Sequence, residues 1–592
     1  MRLQAQPFQL LVMLLERPGE LVTREEICQK LWPADTFVDF DRSLGTAVNK
    51  IREVLNDSAA EPRFIETLPR RGYRFIAPVV TLADPSQDVE PPSSSAPEPN
   101  KEEEDHRSPF QRSLVWIGVC VVLVVAALVA WYWRRPHPIQ SIAVLPLANL
   151  STDPNQQFFA DGVTDELTTN LAQIASLRVI SHTSAVACWS AHKSASEIAR
   201  CLGVDALVEG SVIRSGDRVR INTQLIHAAS DRHLWAHTYD LQLNDVLTVQ
   251  GELARAIAAS VSHTLTPQEA ARLSRPHPMS PEVALLYFKA SNLLARTDAR
   301  QARDLFQQAT ELDPDSAESW AGLADAWHTM GVQGDFDAFD HAKEAARKAL
   351  EIDPSQAQAL MALGAMSFGY DWNPAQSEEY FRQAIASRPN YAMAHALFAI
   401  TLAHRGRTEE SIKEIKLAAL LDPVSVPINS FAWHVYFCAR QYDEALRVIQ
   451  AANELDPSFR AVYGRLARSW DQKGEYQKAI DTRVRGRIVA GESPEKANQD
   501  VAGLRAALAS GGRRGMCQYE LDKTPPEERY STGPAALYLC LGNRDAALDA
   551  LEKGYQNREP YLIVWIIAPE FDTLRSEPRY QKILHDLGLS YN

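Results

Sequence analysis

Apolar residues fall at helical steps in the first fifty-five positions, in alternating strand and helix patterns after residue 139, and in a helical repeat from about 276 onward. Phe8, Leu11, Leu14 and Leu15 recur at three- and four-residue intervals and predict an amphipathic helix that Pro18-Gly19 stops. A second helix is expected at once: Thr23 and Glu26 have capping-box spacing, Ile27 and Leu31-Trp32 supply an apolar side, and Pro33 ends it. A third begins near Asp39 or Asp41, with Leu44, Val48, Ile51 and Leu55 facing inward and Arg42, Thr46, Asn49, Lys50 and Glu53 facing outward. Residues 64–68 and 73–76 read as two strands joined by the basic turn Pro69-Arg70-Arg71-Gly72.

The next two stretches carry no such periodicity. Residues 81–113 are rich in Pro, Ser and Glu with little to bury, so a disordered tether is expected. The run at 114–133, LVWIGVCVVLVVAALVAWYW, is twenty residues without a charge. That is enough at helical rise to cross about 30 Å of hydrocarbon, and Trp116, Trp131, Tyr132 and Trp133 lie where rings settle at headgroup level. A single transmembrane helix is the expectation. Lys101, Arg107 and Arg112 on one flank against Arg134 and Arg135 on the other decide its orientation only weakly.

From 139 to 270 strands and helices alternate. Residues 142–147, 177–180, 206–212 and 218–225 read as strands, the last two flanking Ser215-Gly216-Asp217; helices are expected from Gly162, over 194–202 and from Asn244 to about Leu265. Asp161, Asp165 and Glu166 then fall near the start of the first helix, and we assign them to its macrodipole rather than to chemistry. Beyond 276, prolines at 314, 354, 389, 423 and 457 are spaced 40, 35, 34 and 34. Five residues before each stands an alanine (309, 349, 384, 418, 452) and twelve before stands a small residue (Ala302, Ala342, Ser377, Ser411, Ala445), with Phe306, Phe381, Ile415 and Ile449 filling between. The period is that of tetratricopeptide repeats, expected over 281–495 with a degenerate sixth unit, followed by degenerate helices and a cap over 496–592. Such a stack offers a concave surface for a protein or peptide partner. Trp320, Trp327, Tyr391 and Trp470 read as inter-helix core.

Composition narrows the possibilities. A net charge of −14 excludes chain-wide affinity for nucleic acid, so DNA binding must come from a local surface. Residues 1–80 hold eleven Lys/Arg and eleven Asp/Glu, but between Arg42 and Arg74 seven cations stand against four acids. The seven cysteines form no metal-ligand pattern. We read them as buried thiols, pairing of Cys188 with Cys201 or Cys517 with Cys540 being the alternative should residues after 135 face an oxidising space. No phosphate-binding loop, nucleophile elbow or zinc-protease motif occurs, so no catalytic residue, cofactor or metal is expected.

Three resemblances follow from particular residues. Leu31-Trp32, Lys50-Ile51-Arg52, Thr67 and Gly72-Tyr73-Arg74-Phe75 resemble the OmpR/PhoB-type winged-helix DNA-binding domain over residues 5–78. That resemblance implies a third helix in the major groove and a hairpin tip at the minor groove. It assigns Thr46, Asn49 and Lys50 to base-edge or groove contacts and Arg42, Arg52, Arg70, Arg71 and Arg74 to phosphates or the minor groove. Members of that family carry a small sheet before the first helix which is lacking here, and we expect the start codon to have been placed too late. With no phosphoacceptor receiver domain read ahead of the winged helix, input is expected to arrive from the C-terminal side. Residues 142–147, Phe159-Ala160-Asp161-Gly162, Leu202-Gly203-Val204-Asp205, Glu209-Gly210-Ser211-Val212 and Leu234-Trp235-Ala236 resemble the TolB N-terminal-type domain.

The whole resembles the membrane-integrated ToxR/CadC arrangement. It implies a multidomain one-component regulator in the inner membrane, N-terminus cytoplasmic and C-terminal half periplasmic, with double-stranded promoter DNA, the membrane, a protein on the repeats and a second copy as partners. The alternative is a membrane-anchored repeat scaffold that does not bind DNA.

Overall fold

The computed structural model describes residues 5–77 and 139–590, except 24–25, 28–39, 56, 58–61, 69–70, 152, 154–155, 192–193, 262, 275–278 and 297. These fall into two compact units, within Met1–Ala126 and Ala127–Asn592.

In the first unit the helix Ala5–Glu16 buries Leu10, Met13 and Leu14, while Phe8 is 56 % exposed, so its inward stripe is rotated from the one expected through Phe8. Leu21–Thr23 forms a short strand, β1, ahead of the Thr23 capping box. The helix Phe40–Leu55 buries Leu44, Ala47, Val48 and Ile51 against the first helix, β1 and the hairpin of β2 (Ile65–Leu68) and β3 (Gly72–Phe75). The sheet is antiparallel in the order β1-β3-β2. At Gly72 a side chain would lie 2.1 Å from the Val22 carbonyl oxygen, so only glycine lets β1 close onto β3.

The second unit opens with a six-stranded sheet. β4 (Ser141–Val144) lies between β6 (Arg178–Val179) and β7 (Ala206–Ser215), all parallel, and β5 (Ala148–Asn149) pairs with the far part of β7. β8 (Arg218–His227) and β9 (Arg232–Gln242) continue it antiparallel. Helices Gln157–Leu171 and Val246–Ser260 cover one face, and helices His182–Ala191 and Ala195–Leu202 cover part of the other. Because the helix begins at Gln157, Asp161, Asp165 and Glu166 sit in its middle and not in its first turn, which corrects the macrodipole assignment.

Six helix pairs follow among the described residues, from Pro281–Ala295 with Ala299–Leu312 to Ala461–Gln472 with Tyr476–Val489. The small positions read from the repeat, such as Ala302, Ala342, Ser377, Ser411 and Ala445, are fully buried. Phe306 fills a hollow over Gly322 of the following helix and Phe381 one over Gly364 of the preceding helix, where an added Cβ would lie 2.3 Å and 2.8 Å from the rings.

Three expectations are corrected here. Among the described residues no helix is long and apolar enough to cross a membrane; 114–133 and the expected tether lie outside those residues. The longest described helix, Pro494–Lys523, has 30 residues but carries Glu495, Lys496, Asp500, Arg505 and Arg513 and breaks at Gly512, and hydrocarbon tolerates neither. The expected transmembrane helix and the inner-membrane placement built on it are therefore not supported. Cys188–Cys201 and Cys517–Cys540 are disulfides, with Cα separations of 6.1 and 6.3 Å, and Cys438 stays a buried thiol. Helix packing, not sequence spacing, brings each pair within bonding reach.

Beyond the sixth pair, helix Pro494–Lys523 packs Val501 and Leu504 on Ile480 and Val484 of the last repeat helix, and the residues near 565 turn back over the stack. They lie along the first helices of the third to sixth repeats: Trp565 packs on Trp433, Arg468 pairs with Glu570 at 2.7 Å, and the His404 ring lies 3.0 Å from the Val564 carbonyl oxygen. Phe571 and Tyr580 are fully buried in the same core as Trp433 and Phe437.

Candidate nucleic-acid interface

Two elements of the first unit carry the expected DNA-contacting residues. The Phe40–Leu55 helix turns its apolar stripe inward, which leaves Asn49 exposed and Lys50 half-buried on its outer side. Arg42 and Thr46 belong to the same helix, but their side chains lie outside the described set, as does Arg70 entirely. Arg71 is exposed at the turn between β2 and β3. Helix and hairpin thus present Asn49, Lys50 and Arg71, an amide that matches base edges and two cations that match phosphate.

Two of the arginines do something else. Arg52 is only 7 % exposed, and its Nη2 donates to the Ile65 carbonyl oxygen at 2.9 Å and to the Thr67 hydroxyl at 2.7 Å. It is a strut that ties the helix to β2, and the phosphate contact expected of it is corrected. The reason is its place in the last helical turn, on the side that faces the sheet. Arg74 donates through Nε and Nη2 to Glu66 at 2.9 and 2.6 Å, directly across the hairpin, so part of its charge is spent holding β2 to β3. The residue missed by sequence reasoning is Glu66, whose cross-strand position was already implicit in the hairpin register.

The capping-box pair Thr23 and Glu26 is bonded as its spacing implies, while Leu31, Trp32 and Pro33 of the expected second helix lie outside the described residues. The Thr23 amide donates to the Glu26 carboxylate at 2.9 Å and the Glu26 amide to the Thr23 hydroxyl at 3.3 Å. Those bonds from Thr23, with Arg17 nearby, hold the Glu26 carboxyl below its ordinary range.

In the second unit the carboxylates of helix Gln157–Leu171 face the repeats. Asp161 accepts from Asn292 at 3.1 Å, and Asp165 and Glu166 line a cavity of about 390 Å3 with Asp325, Arg388 and Tyr391. Burial pushes the Tyr391 phenol well up, and the Arg388 guanidinium lies over its ring at 4.6 Å. The α/β module is bolted to the inter-repeat loops: Asn390 Nδ2 donates to the carbonyls of Ala172, Ile174 and Leu177, and the Asp422 carboxylate accepts from Ser181 and Ser184. Among the described residues no group of His, Cys, Asp and Glu is placed to hold a metal ion.

Comparison with known proteins bears on both units. Residues 1–75 match the family described as "Transcriptional regulatory protein, C terminal", and 289–331, 365–425 and 434–482 match tetratricopeptide repeats. The transcriptional regulator HilA of Salmonella typhimurium is 24 % identical over 485 residues, 81 % of this chain and 70 % of that protein. The cholera toxin homolog transcriptional activator of Vibrio parahaemolyticus is 39 % identical over 98 residues, 16 % of this chain and 34 % of its own length. A Rhizobium meliloti protein named as a candidate adenylate cyclase is 36 % identical over 187 residues, 31 % of this chain and 32 % of its own. The chain thus spans about a third of the length of the last two relatives. The N-terminal unit is a winged-helix domain of the transcriptional-regulator C-terminal type, and the distal unit carries a tetratricopeptide array.

Proposed function

We propose that this chain is a transcriptional regulator that binds promoter DNA through its winged helix, while the α/β module and the repeats receive a signal or a protein partner. One observation carries the reading most: in a domain matching a transcriptional-regulator family, the outer face of helix Phe40–Leu55 and the hairpin turn keep Asn49, Lys50 and Arg71 off the core. Asn49 suits a base edge, and Lys50 and Arg71 suit phosphate. Paired half-sites would be bound by two copies.

The test is fluorescence anisotropy of the full chain on DNA from upstream of its own gene at two salt concentrations. Replacing Asn49 by Ala should cost about 1–3 kcal/mol and relax the preference for the promoter over unrelated DNA. Replacing Arg71 by Ala should weaken binding to all sequences and lower the salt slope by about 1. If the full chain shows no salt-dependent binding to any duplex, the regulator reading is wrong and a repeat scaffold takes its place.

A further inference from the structure

The structure assigns a binding groove for an uncharged oligosaccharide to the second face of the six-stranded sheet. Helices His182–Ala191 and Ala195–Leu202 cover the Leu207 and Ile226 end of that face and then stop. Beyond them two rungs run across three strands, Glu209 beside Gln224 beside Ala236, and Ser211 beside Asn222 beside Thr238. They floor a groove of about 860 Å3 walled by Pro146, Trp189 and Ile198, a size within the range of small-ligand sites.

The chemistry of the groove selects its occupant. Among the described residues its lining has one carboxylate, Glu209, one imidazole, His237, and no lysine or arginine, so phosphate, nucleotide and other anions find no fixed counter-charge there. An acyl chain would meet amides and hydroxyls along the floor, and desolvating them disfavours it. An extended peptide would dock on the backbone of a strand edge, whereas this floor is made of side chains on a sheet face. A pyranose fits both parts: its C–H face can lie on the negative face of an indole, and its hydroxyls can donate to and accept from carboxylate, amide and hydroxyl groups.

Three details show a site with its parts in place. Trp189 is 48 % exposed at the rim. It follows Cys188, whose disulfide to Cys201 ties together the two helices that form this wall. On the floor, Asn222 Nδ2 donates to the Ser211 hydroxyl at 3.2 Å and Oδ1 accepts from the Thr238 hydroxyl at 2.9 Å, which fixes the amide's orientation. The neighbouring Glu209 and Gln224 side chains have no hydrogen-bond or ion-pair partner among the described residues, and Ala236 leaves room above them.

The experiment is isothermal titration of the full chain with the neutral tetrasaccharides maltotetraose, cellotetraose and chitotetraose, and with a sulfated tetrasaccharide as the anionic control. It does not depend on the DNA-binding reading, because no DNA is present. At least one neutral probe should bind, the sulfated one should not, and Trp189→Ala should weaken binding about tenfold or more. Gln224→Ala should weaken it several-fold. Both side chains lie outside the core, so an unchanged melting temperature verifies that the variants fold. Failure of every neutral probe at millimolar concentration overturns the assignment, and so does binding that both variants leave intact.

Discussion

The winged helix and the repeat stack both have a face that the periodic pattern marks out, yet among the described residues only the repeat face is filled by a distant part of the chain. On helix Phe40–Leu55 the described part of the polar side leaves Asn49 exposed. On the repeats the side shared by the first helices of the third to sixth units is filled by the chain's own C-terminal residues, through Trp565, Glu570 and Val564. The loops between repeats are taken as well, by the α/β module through Asn390 and Asp422. Amphipathic periodicity tells which face of an element is apolar, but a covering segment far along the chain leaves no mark on that periodicity. The surface a repeat array offers a partner must therefore be judged after its own chain has been placed.

The sharpest test of this contrast is in the filled face. Trp433 is fully buried, donates to the Ser469 hydroxyl at 2.7 Å and touches the C-terminal segment, so Trp433→Ala should destabilise the distal unit by about 3–5 kcal/mol in urea unfolding. DNA affinity should be unchanged; a parallel loss of DNA binding would show that the two units are coupled. Next comes the bolt between module and repeats. Asn390→Ala removes the donor to three carbonyls and should cost about 2 kcal/mol, seen as faster hydrogen exchange over residues 172–180. Unaltered exchange there would mean that the module holds its own loops.

In the winged helix the expected effects are smaller and divide by role. Arg52→Met should lower the stability of the domain by about 1–2 kcal/mol, because the Ile65 carbonyl loses its donor, while the salt slope of DNA binding stays as it was. A salt slope reduced by about 1 would return Arg52 to the phosphate contacts. The smallest effect is a pH dependence in the repeats. Burial alone would raise the Glu378 carboxyl, but hydrogen bonds from Arg382 and Arg407 outweigh it and hold the group below 4.5. A carboxyl depressed in the folded state contributes stability that is present above 4.5 and lost as pH falls through its folded value. Thermal unfolding of Glu378→Gln should therefore depend less on pH in that acid range than the parent chain does.

Much of the candidate interface was legible because its signals are local. The Thr23 and Glu26 spacing, the inward Leu44, Val48 and Ile51, and the hairpin around Arg71 each depend on residues within a few positions of one another. The roles of Arg52 and Arg74 were not legible. An arginine on a helix near a basic turn looks the same whether it points to solvent or across to a strand 13 residues on, and Arg52 does the latter. β9 was missed because its pattern is broken: Leu225 pairs with Trp235 but Ile226 with His233, so Leu234 is an extra residue in β9 and the adjacent apolar pair Leu234-Trp235 interrupts the alternation that marks a strand.

What the sequence determined by itself is the set of elements and their inward faces: the Phe40–Leu55 helix, the hairpin, the alternating module, and a repeat whose small residues at 302, 342, 377, 411 and 445 are all buried. These are short-range properties, set by steps of two, three and four residues and by a period of about 34. Only the tertiary structure decided that Cys188 meets Cys201, that Asn390 satisfies three carbonyls more than two hundred positions earlier, and that residues near 565 fill the face of the stack. Those outcomes depend on which packed surfaces meet once the chain has collapsed, and that is a property of the whole core and not of any window of sequence.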